Sequence, residues 1–348
     1  MKPVRWGILG AANFAQEHMA PAIHAAHGAE LAALATSDPA KAEGFSIFAP
    51  GLAVHSSYDA LLADPTIDAV YIPLPNHMHV EWTLKALAAG KHVLTEKPIA
   101  MKAREIDQII AARDRTGLLA AEAYMIVHHP QWQRAKEWLD AGEIGDLVHA
   151  DVAFSFNLTD NGNIRMKPET GGGSLRDIGV YTFGCTRFVT GAEPVDISAR
   201  IHRDNGVDTF VQVAAVMERP QSGGSAGGSA GGSAGGSASG SGRRFTYGSM
   251  TSMRMYNRQV ATFQGTKGMI RLEGGPFNAN VNDLAEVELH QNGNRVTVER
   301  FPAANHYKLQ VEAFCRTVRD GVAYPCPLEF VRGTQAMMDR VYEVAVDI

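Results

Sequence analysis

Short apolar runs alternate with amphipathic stretches through the first third of the chain. Residues 4–9, 30–35, 69–72, 92–94 and 118–121 are nearly all apolar, without the strict alternation of a half-exposed strand. They predict strands covered on both faces, as in a parallel sheet. Between them, 17–26, 39–45, 58–63, 80–89 and 103–116 read as helices, with Gly90 and Gly117 placed to end the last two. This is a succession of β-α-β units.

The rhythm then changes. Residues 130–141 and 173–189 predict helices, and 147–156 a longer strand. Strands follow at 195–203, 208–217, 243–254, 259–264, 269–272, 286–291 and 295–300, with Asn292-Gly293 as a hairpin turn between the last two. Helices at 306–320 and 328–344 close the chain. The expected fold is an α/β Rossmann domain, residues 1–124, followed by an α+β domain, residues 125–348, with a large, mostly antiparallel, open-faced sheet. Helices should cover one face of that sheet. The other is free to pair with a second subunit, so a homo-oligomer is expected. Residues 222–242 stand apart: GGSA occurs four times in succession, then Ser and Gly alternate. No side chain there builds a core, so a flexible loop without a chemical role is expected, inserted into a hairpin.

Composition narrows the class. The chain has 348 residues, 45% hydrophobic and 20% charged, which suits two globular domains. The net charge is −5 and no Lys/Arg block occurs, so a nucleic-acid partner is not expected. Cys185, Cys315 and Cys326 are far apart, which argues against a disulfide framework and for a reducing compartment. The N-terminal MKPVRWGILG lacks a signal-peptide h-region, and no run of about 18 apolar residues predicts a membrane span. A cytoplasmic enzyme is expected.

Four constellations carry candidate chemistry. Gly10, Ala11, Ala12, Asn13 and Phe14 follow the first strand and open a helix. Small residues there let a dinucleotide pyrophosphate approach the backbone amides. At the tip of the second strand, Thr36 and Ser37 are expected to accept a 2′-phosphate with Lys41 supplying charge, so NADP is expected in preference to NAD. Asp38 alternatively caps the next helix. Pro73, Leu74, Asn76 and His77 lie beyond the strand 69–72, at the carboxyl edge where ligands bind. His77 and His79 form an HxH without the carboxylates or cysteines of a metal site, so no metal is expected. Glu96 and Lys97 follow the strand 92–94 at the same edge, where a lysine can hydrogen-bond a substrate hydroxyl and stabilise a developing alkoxide. Finally, GGGSLRDIGVY spans 171–181. Asp177 and Tyr181 are four apart and share one helical face. Tyr181 is a candidate proton donor and acceptor, with a nearby lysine cation expected to lower its pKa, and Asp177 a group that orients the substrate. Tyr124 and Arg165 are further expected substrate contacts.

The segments GILGAANFA, PLPNHMHVEWTLKALAAGKHV, TEKPIA, EAYMIVHHPQ, GGGSLRDIGVY and PCPLEFVRGTQAMMDRV together make the chain resemble the glucose–fructose oxidoreductase, inositol dehydrogenase and rhizopine catabolism family, Gfo/Idh/MocA. The likeness runs over nearly the whole chain outside 222–242. It implies hydride transfer, without metal, between NAD(P) and a ring carbon of a sugar, cyclitol or related diol. It implies that the family's EKP lysine is Lys97 and its conserved-motif aspartate Asp177. Tyr181 stands where the family's usual histidine would be. That departure resembles the branch of glucose–fructose oxidoreductases, aldose dehydrogenases and dimeric dihydrodiol dehydrogenases, and it disfavours an inositol substrate. The resemblance further implies a cis Lys97–Pro98 bond. The expected substrate is an aldose or similar polyol. The competing readings are a sugar-to-sugar oxidoreductase with tightly held NADP, a non-catalytic NAD(P)-binding regulator, and a structural protein displaying the Gly/Ser loop.

Overall fold

The structure is a computed structural model that describes residues 2–220, 243–278 and 284–348. The loop expected at 222–242 lies outside the described residues. Six strands form the first sheet: β1 (Val4–Leu9), β2 (Ala29–Ala35), β3 (Ala53–His55), β4 (Ala69–Ile72), β5 (His92–Thr95) and β6 (Ala120–Glu122). They are all parallel, in the order β3-β2-β1-β4-β5-β6. Their apolar runs follow from coverage on both faces: Ile8, Leu34, Val70, Tyr71 and Leu94 have no exposed surface. The sequence pattern did not signal β3, a three-residue edge strand with Ala53 and Val54 exposed. The order in which strands are added reverses between β1 and β4, which opens a crevice at their carboxyl ends.

The second sheet has nine strands: β7 (Leu147–Asn157), β8 (Glu193–Asp204), β9 (Val207–Arg219), β10 (Arg243–Ser252), β11 (Arg254–Gly265), β12 (Gly268–Leu272), β13 (Leu284–Gln291), β14 (Arg295–Pro302) and β15 (Val346–Asp347). The order is β14-β13-β12-β11-β7-β10-β9-β8-β15. Neighbours are antiparallel except β7 with β10 and β8 with β15. The expected strand 243–254 is two strands: β10 ends at Ser252, and a new strand starts at Arg254 to pair with β7. β9 and β10 pair from Arg219↔Arg243, so the Gly/Ser/Ala segment does join adjacent antiparallel strands. The hairpin between β13 and β14 turns through Asn292–Asn294, with φ 76° at Gly293 and 60° at Asn294. Along β9, Val211, Val213 and Met217 are buried while Gln212 and Ala214 are exposed, the alternation of a sheet covered on one face.

Four helices position the site. Helix α1 opens with a π-type turn, Ala15–Met19, and continues through Ala20–Ala25. Helix α2 does the same, with a π-type turn at Leu175–Gly179 and α-helix through Val180–Thr190. Such turns recur at functional sites. Helices α3 (His306–Asp320) and α4 (Leu328–Val344) return to the first domain. Phe314 of α3 packs on Trp6 of β1 with ring centroids 4.7 Å apart. Glu329 and Arg332 of α4 pair with Arg113 and Asp107 of the helix Ala103–Thr116. The C-terminal helices thus belong to the packing of both sheets, although the chain passes from one sheet to the other near residue 124.

Candidate active site

The carboxyl ends of β1, β4 and β5 meet the start of α2 around a cavity of about 640 Å³. Its walls include Ala12, Asn13, Phe14, Leu74, Glu96 and Lys97 from the first domain. Asn163, Arg165, Asp177 and Tyr181 face them from the second, and Tyr307 enters from α3.

Beyond β1 the chain turns at Gly10, whose φ of 105° is one that a side chain rarely permits. The Gly10 N–H donates to the Ala35 carbonyl at 2.9 Å, which fixes the turn to β2. Ala12, Asn13 and Phe14 line the cavity, whereas Gly10 and Ala11 are not part of its lining. No side chain caps α1, so its first amides stay open to an anion. This uncapped start and the strained glycine fit a dinucleotide pyrophosphate. Thr36, by contrast, is buried and its hydroxyl is consumed locally, accepting from the Asp38 N–H at 3.1 Å and facing the Asp38 carbonyl at 3.2 Å. The Asp38 carboxylate caps the next turn through Ala40 N–H. The expected role of Thr36 at a 2′-phosphate is therefore corrected: a hydroxyl already folded into the turn is not presented to a ligand. Ser37 and Lys41 are exposed just beyond β2 and outside the cavity.

After β4, Pro73, Leu74 and Asn76 line the cavity. Asn76 donates from Nδ2 to the Gly171 carbonyl at 3.0 Å, tying the loop to the triple glycine of the second domain. His77 is exposed and outside the cavity, a correction to its expected place there; the turn Asn76–Met78 directs it to solvent. Its neighbour His79 is the buried one, held between the carbonyls of Pro98 (2.8 Å) and Leu74 (2.6 Å). Burial pushes its pKa down to about 4 against those carbonyls. The HxH thus splits between solvent and core. No group of three His, Cys, Asp or Glu side chains gathers as metal ligands among the described residues.

After β5 come Glu96 and Lys97, with a cis bond between Lys97 and Pro98. The Tyr71 hydroxyl donates to Glu96 Oε1 at 2.6 Å. Lys97 Nζ donates to the Asp177 carbonyl at 2.7 Å and to Asp177 Oδ1 at 2.9 Å. Arg165 Nε donates to the other oxygen, Oδ2, at 2.8 Å. Burial would raise the Asp177 pKa, but the Lys97 and Arg165 charges outweigh it and hold the carboxyl well below its ordinary range. Asp177 is thus a fixed anion between two cations, with both oxygens engaged, rather than a free hand for substrate.

Tyr181 lies one helical turn further along, with Lys97 Nζ 5.1 Å from its ring centroid. The lysine was expected to lower the tyrosine pKa. The structure reverses this: burial first, and then the neighbouring Tyr307, Glu96 and Asp177, push it well up, while Lys97 is committed to Asp177. Tyr124 does not line the cavity. It is 1% exposed, stacks behind the Tyr181 ring at 5.8 Å, and donates from its hydroxyl to the Tyr181 carbonyl at 3.2 Å. The expected substrate contact at Tyr124 is corrected to a support for Tyr181.

Two contributors escaped the sequence reading. Asp208, on β9, accepts from Leu175 N–H at 2.6 Å and Ser174 Oγ at 2.9 Å, so it caps α2 from another strand. Tyr342 of α4 donates to its second oxygen at 2.8 Å. Gly173 is required beside it: a Cβ there would sit 2.3 Å from Asp208 Oδ1, and φ is 126°. Tyr307 is the other. No local motif signals either, because each arrives from a distant part of the chain.

A Rossmann sheet with an uncapped helix at its switch point, facing a lysine–aspartate–tyrosine cluster, defines a nicotinamide-dependent oxidoreductase. The family model for an oxidoreductase family with an NAD-binding Rossmann fold matches residues 4–124, and the GFO/IDH/MocA C-terminal domain matches 132–271. An uncharacterized oxidoreductase of Rhizobium meliloti is 35% identical, covering 99% of this chain and 98% of that one. The NADP+-dependent D-xylose 1-dehydrogenase 2 of Haloferax volcanii is 34% identical, covering 98% and 97%. A 3-ketoreductase from Actinomadura kijaniata, solved with NADP and TDP-benzene, superposes with a TM-score of 0.83 at 27% identity, covering 100% and 99%. The chain belongs to the Gfo/Idh/MocA family and is an NAD(P)-dependent oxidoreductase. No helix among the described residues is long and apolar enough to cross a membrane.

Proposed function

We propose that the chain transfers hydride between NADP and a carbinol carbon of an uncharged sugar or polyol, with Tyr181 as the proton donor and acceptor. The observation that carries this is the Lys97–Asp177–Arg165 chain of charges beside Tyr181, in the same cavity as the open start of α1. Bound nicotinamide supplies or takes the hydride. Ala12, Asn13 and Phe14 offer amides to its pyrophosphate, while Ser37 and Lys41 remain to meet a 2′-phosphate. NADP is favoured because the xylose dehydrogenase and the 3-ketoreductase carry it in their descriptions.

A lysine ammonium has three donors. Two of those of Lys97 are spent on Asp177, which leaves the third for a substrate oxygen. Tyr181 stays protonated because its pKa is pushed up, so in the reductive direction it has a proton to give to the developing alkoxide. In the oxidative direction it takes that proton back. Solved variants of the 3-ketoreductase alter a lysine and a tyrosine as far apart in sequence as Lys97 and Tyr181 are here, which supports the pairing.

The charge of the cavity favours a neutral substrate. Its lining carries Glu96, Asp177, Lys97 and Arg165, which balance, and both cations are already paired with Asp177. Residues 279–283, next in sequence after the lining residue Asn278, contain no Lys or Arg. A diphosphate-linked sugar would bring negative charge to a site with no unpaired cation among its described lining. Lys97→Ala and Tyr181→Phe are expected to lower turnover about 10²–10⁴-fold and leave NADPH affinity within about threefold. Wild-type turnover in both variants rejects the mechanism. Assayed on free aldoses and on nucleotide-linked ketosugars, the wild type should turn over the former; activity confined to the latter rejects the neutral substrate.

A further inference from the structure

Helix α3 lies beyond both matched family segments, yet it sends one side chain into the cavity. That residue, Tyr307, is held unusually firmly. Asn305 caps the helix by accepting from the Tyr307 and Lys308 N–H groups at 3.0 and 3.2 Å. The Tyr307 ring stacks on His18 at 5.4 Å and meets Phe14 edge-on at 5.6 Å. His306 closes a third side at 4.3 Å. The ring is thus packed against α1, on the wall that carries the dinucleotide turn.

Its hydroxyl is not similarly satisfied. It has no hydrogen-bond partner among the described residues, although the nearby Tyr71 hydroxyl is bonded to Glu96. Burial, and then the Glu96 carboxylate, push the Tyr307 pKa up, so the phenol keeps its proton and remains a donor. A fixed ring in the cavity wall with an unspent hydroxyl is arranged for a ligand. The two walls distinguish which ligand. Asn163, Ile164 and Arg165, tied to Asp177, form the substrate side. Tyr307 packs on Phe14 of the dinucleotide turn and lies within electrostatic reach of both Glu96 and Tyr181, where cofactor and substrate meet. The nicotinamide must cross this region to run from a pyrophosphate at that turn to Lys97.

We infer that the Tyr307 hydroxyl holds the carboxamide of the nicotinamide and so sets which face of the ring meets the substrate. The inference rests on the cofactor placement of the proposed function. It assigns the orientation of the ring to a residue from the far end of the chain.

The test uses Tyr307→Phe, which keeps the ring and its three aromatic contacts, with a thermal melt to check folding. NADPH binding is followed by fluorescence titration in the absence of sugar. Hydride stereochemistry is followed with cofactor deuterated on one face of C4. The variant should bind NADPH about 3–10-fold more weakly and should transfer a measurable fraction of hydride from the wrong face. With a cofactor analogue bearing hydrogen in place of the carboxamide, wild type and variant should bind alike. Equal NADPH affinity in the two proteins overturns the inference and leaves the proposed function standing. So does an equal loss with the analogue, or a change confined to the KM of the sugar. A wild type that binds no NADPH overturns both.

Discussion

Helices α1 and α2 begin in the same way and are completed differently. Each follows a glycine-bearing turn, each opens with a π-type turn, and each contributes residues to the lining of the same cavity. At α1 no side chain caps the amides. At α2 the chain supplies its own anion: Asp208 reaches across from β9 to Leu175 and Ser174. One start is therefore kept for a ligand, and the other is made rigid so that Asp177 and Tyr181 stay in place. Glycine-rich sequence looks alike in both. Only the partner of the first amides tells an anion seat from a structural joint.

The largest effect is expected from emptying the filled start. Asp208→Ala leaves Leu175 N–H, Ser174 Oγ and Tyr342 OH unpaired in a buried place, at about 1–3 kcal/mol each before relaxation. Allowing for partial relaxation, urea denaturation should show a loss of about 3–4 kcal/mol. Turnover should fall as well, because Asp177 lies two residues past the capped amide. Asp208→Asn keeps an acceptor and should recover roughly half of the stability. Wild-type stability in Asp208→Ala would show that the cap is incidental.

The converse experiment fills the open start. Ala12 gives its carbonyl to Gln16 N–H at 3.1 Å, so a carboxylate introduced at that position can cap the next amides. Ala12→Asp should raise stability by about 0.5–1 kcal/mol, as an N-cap and a charge at a helix N-terminus do. It should weaken NADPH binding about a hundredfold, because a fixed anion then occupies the place of the pyrophosphate. If NADPH affinity survives unchanged, the phosphates do not bind at this turn and α1 is open for another reason.

The same contrast explains what the sequence made legible. Strands β1, β2, β4 and β5 are readable because burial on both faces demands continuous apolar runs. Asp177 and Tyr181 are readable as a pair because helical spacing alone puts them on one face. Thr36 misled because a hydroxyl at a strand tip has a local alternative, the turn at Asp38, that composition does not reveal. Tyr124 misled because a tyrosine near a site reads the same whether it faces the ligand or braces the residue that does. Asp208 and Tyr307 left no signal, since each meets the site through tertiary packing from a strand or helix far along the chain. The edge strands β3 and β15 are short and exposed, so no apolar run marks them.

A third buried carboxylate sharpens the contrast, because it receives a backbone amide but has no direct ion pair. Glu122, 3% exposed, accepts from the Ile99 N–H at 2.9 Å beneath the Lys97–Pro98 turn. Burial pushes its pKa from the ordinary 4.5 up to about 7, against the Ile99 bond, with Glu96 raising it further and Lys97 lowering it. Between those two values the folded chain binds more protons than the unfolded one. Stability from this group is therefore present at the acid end and is lost as the pH rises through about 7. The buried His79, His128, His129 and His306 run the other way, since burial pushes their pKa values down to about 3 or 4 and acid removes their contribution. A difference measurement cancels them. Glu122→Gln retains an oxygen for Ile99 and cannot ionise. The weaker bond from Ile99 to the amide only offsets the difference by a constant independent of pH, and the shift sets a climb on the order of 2–3 kcal/mol. The stability of Glu122→Gln relative to wild type should thus climb by that amount from about pH 5 to about pH 8 in matched urea melts. A difference that stays flat across that range would mean that Glu122 is already ionised when folded. The turn bearing Lys97 would then rest on a charged carboxylate, as the start of α2 rests on Asp208.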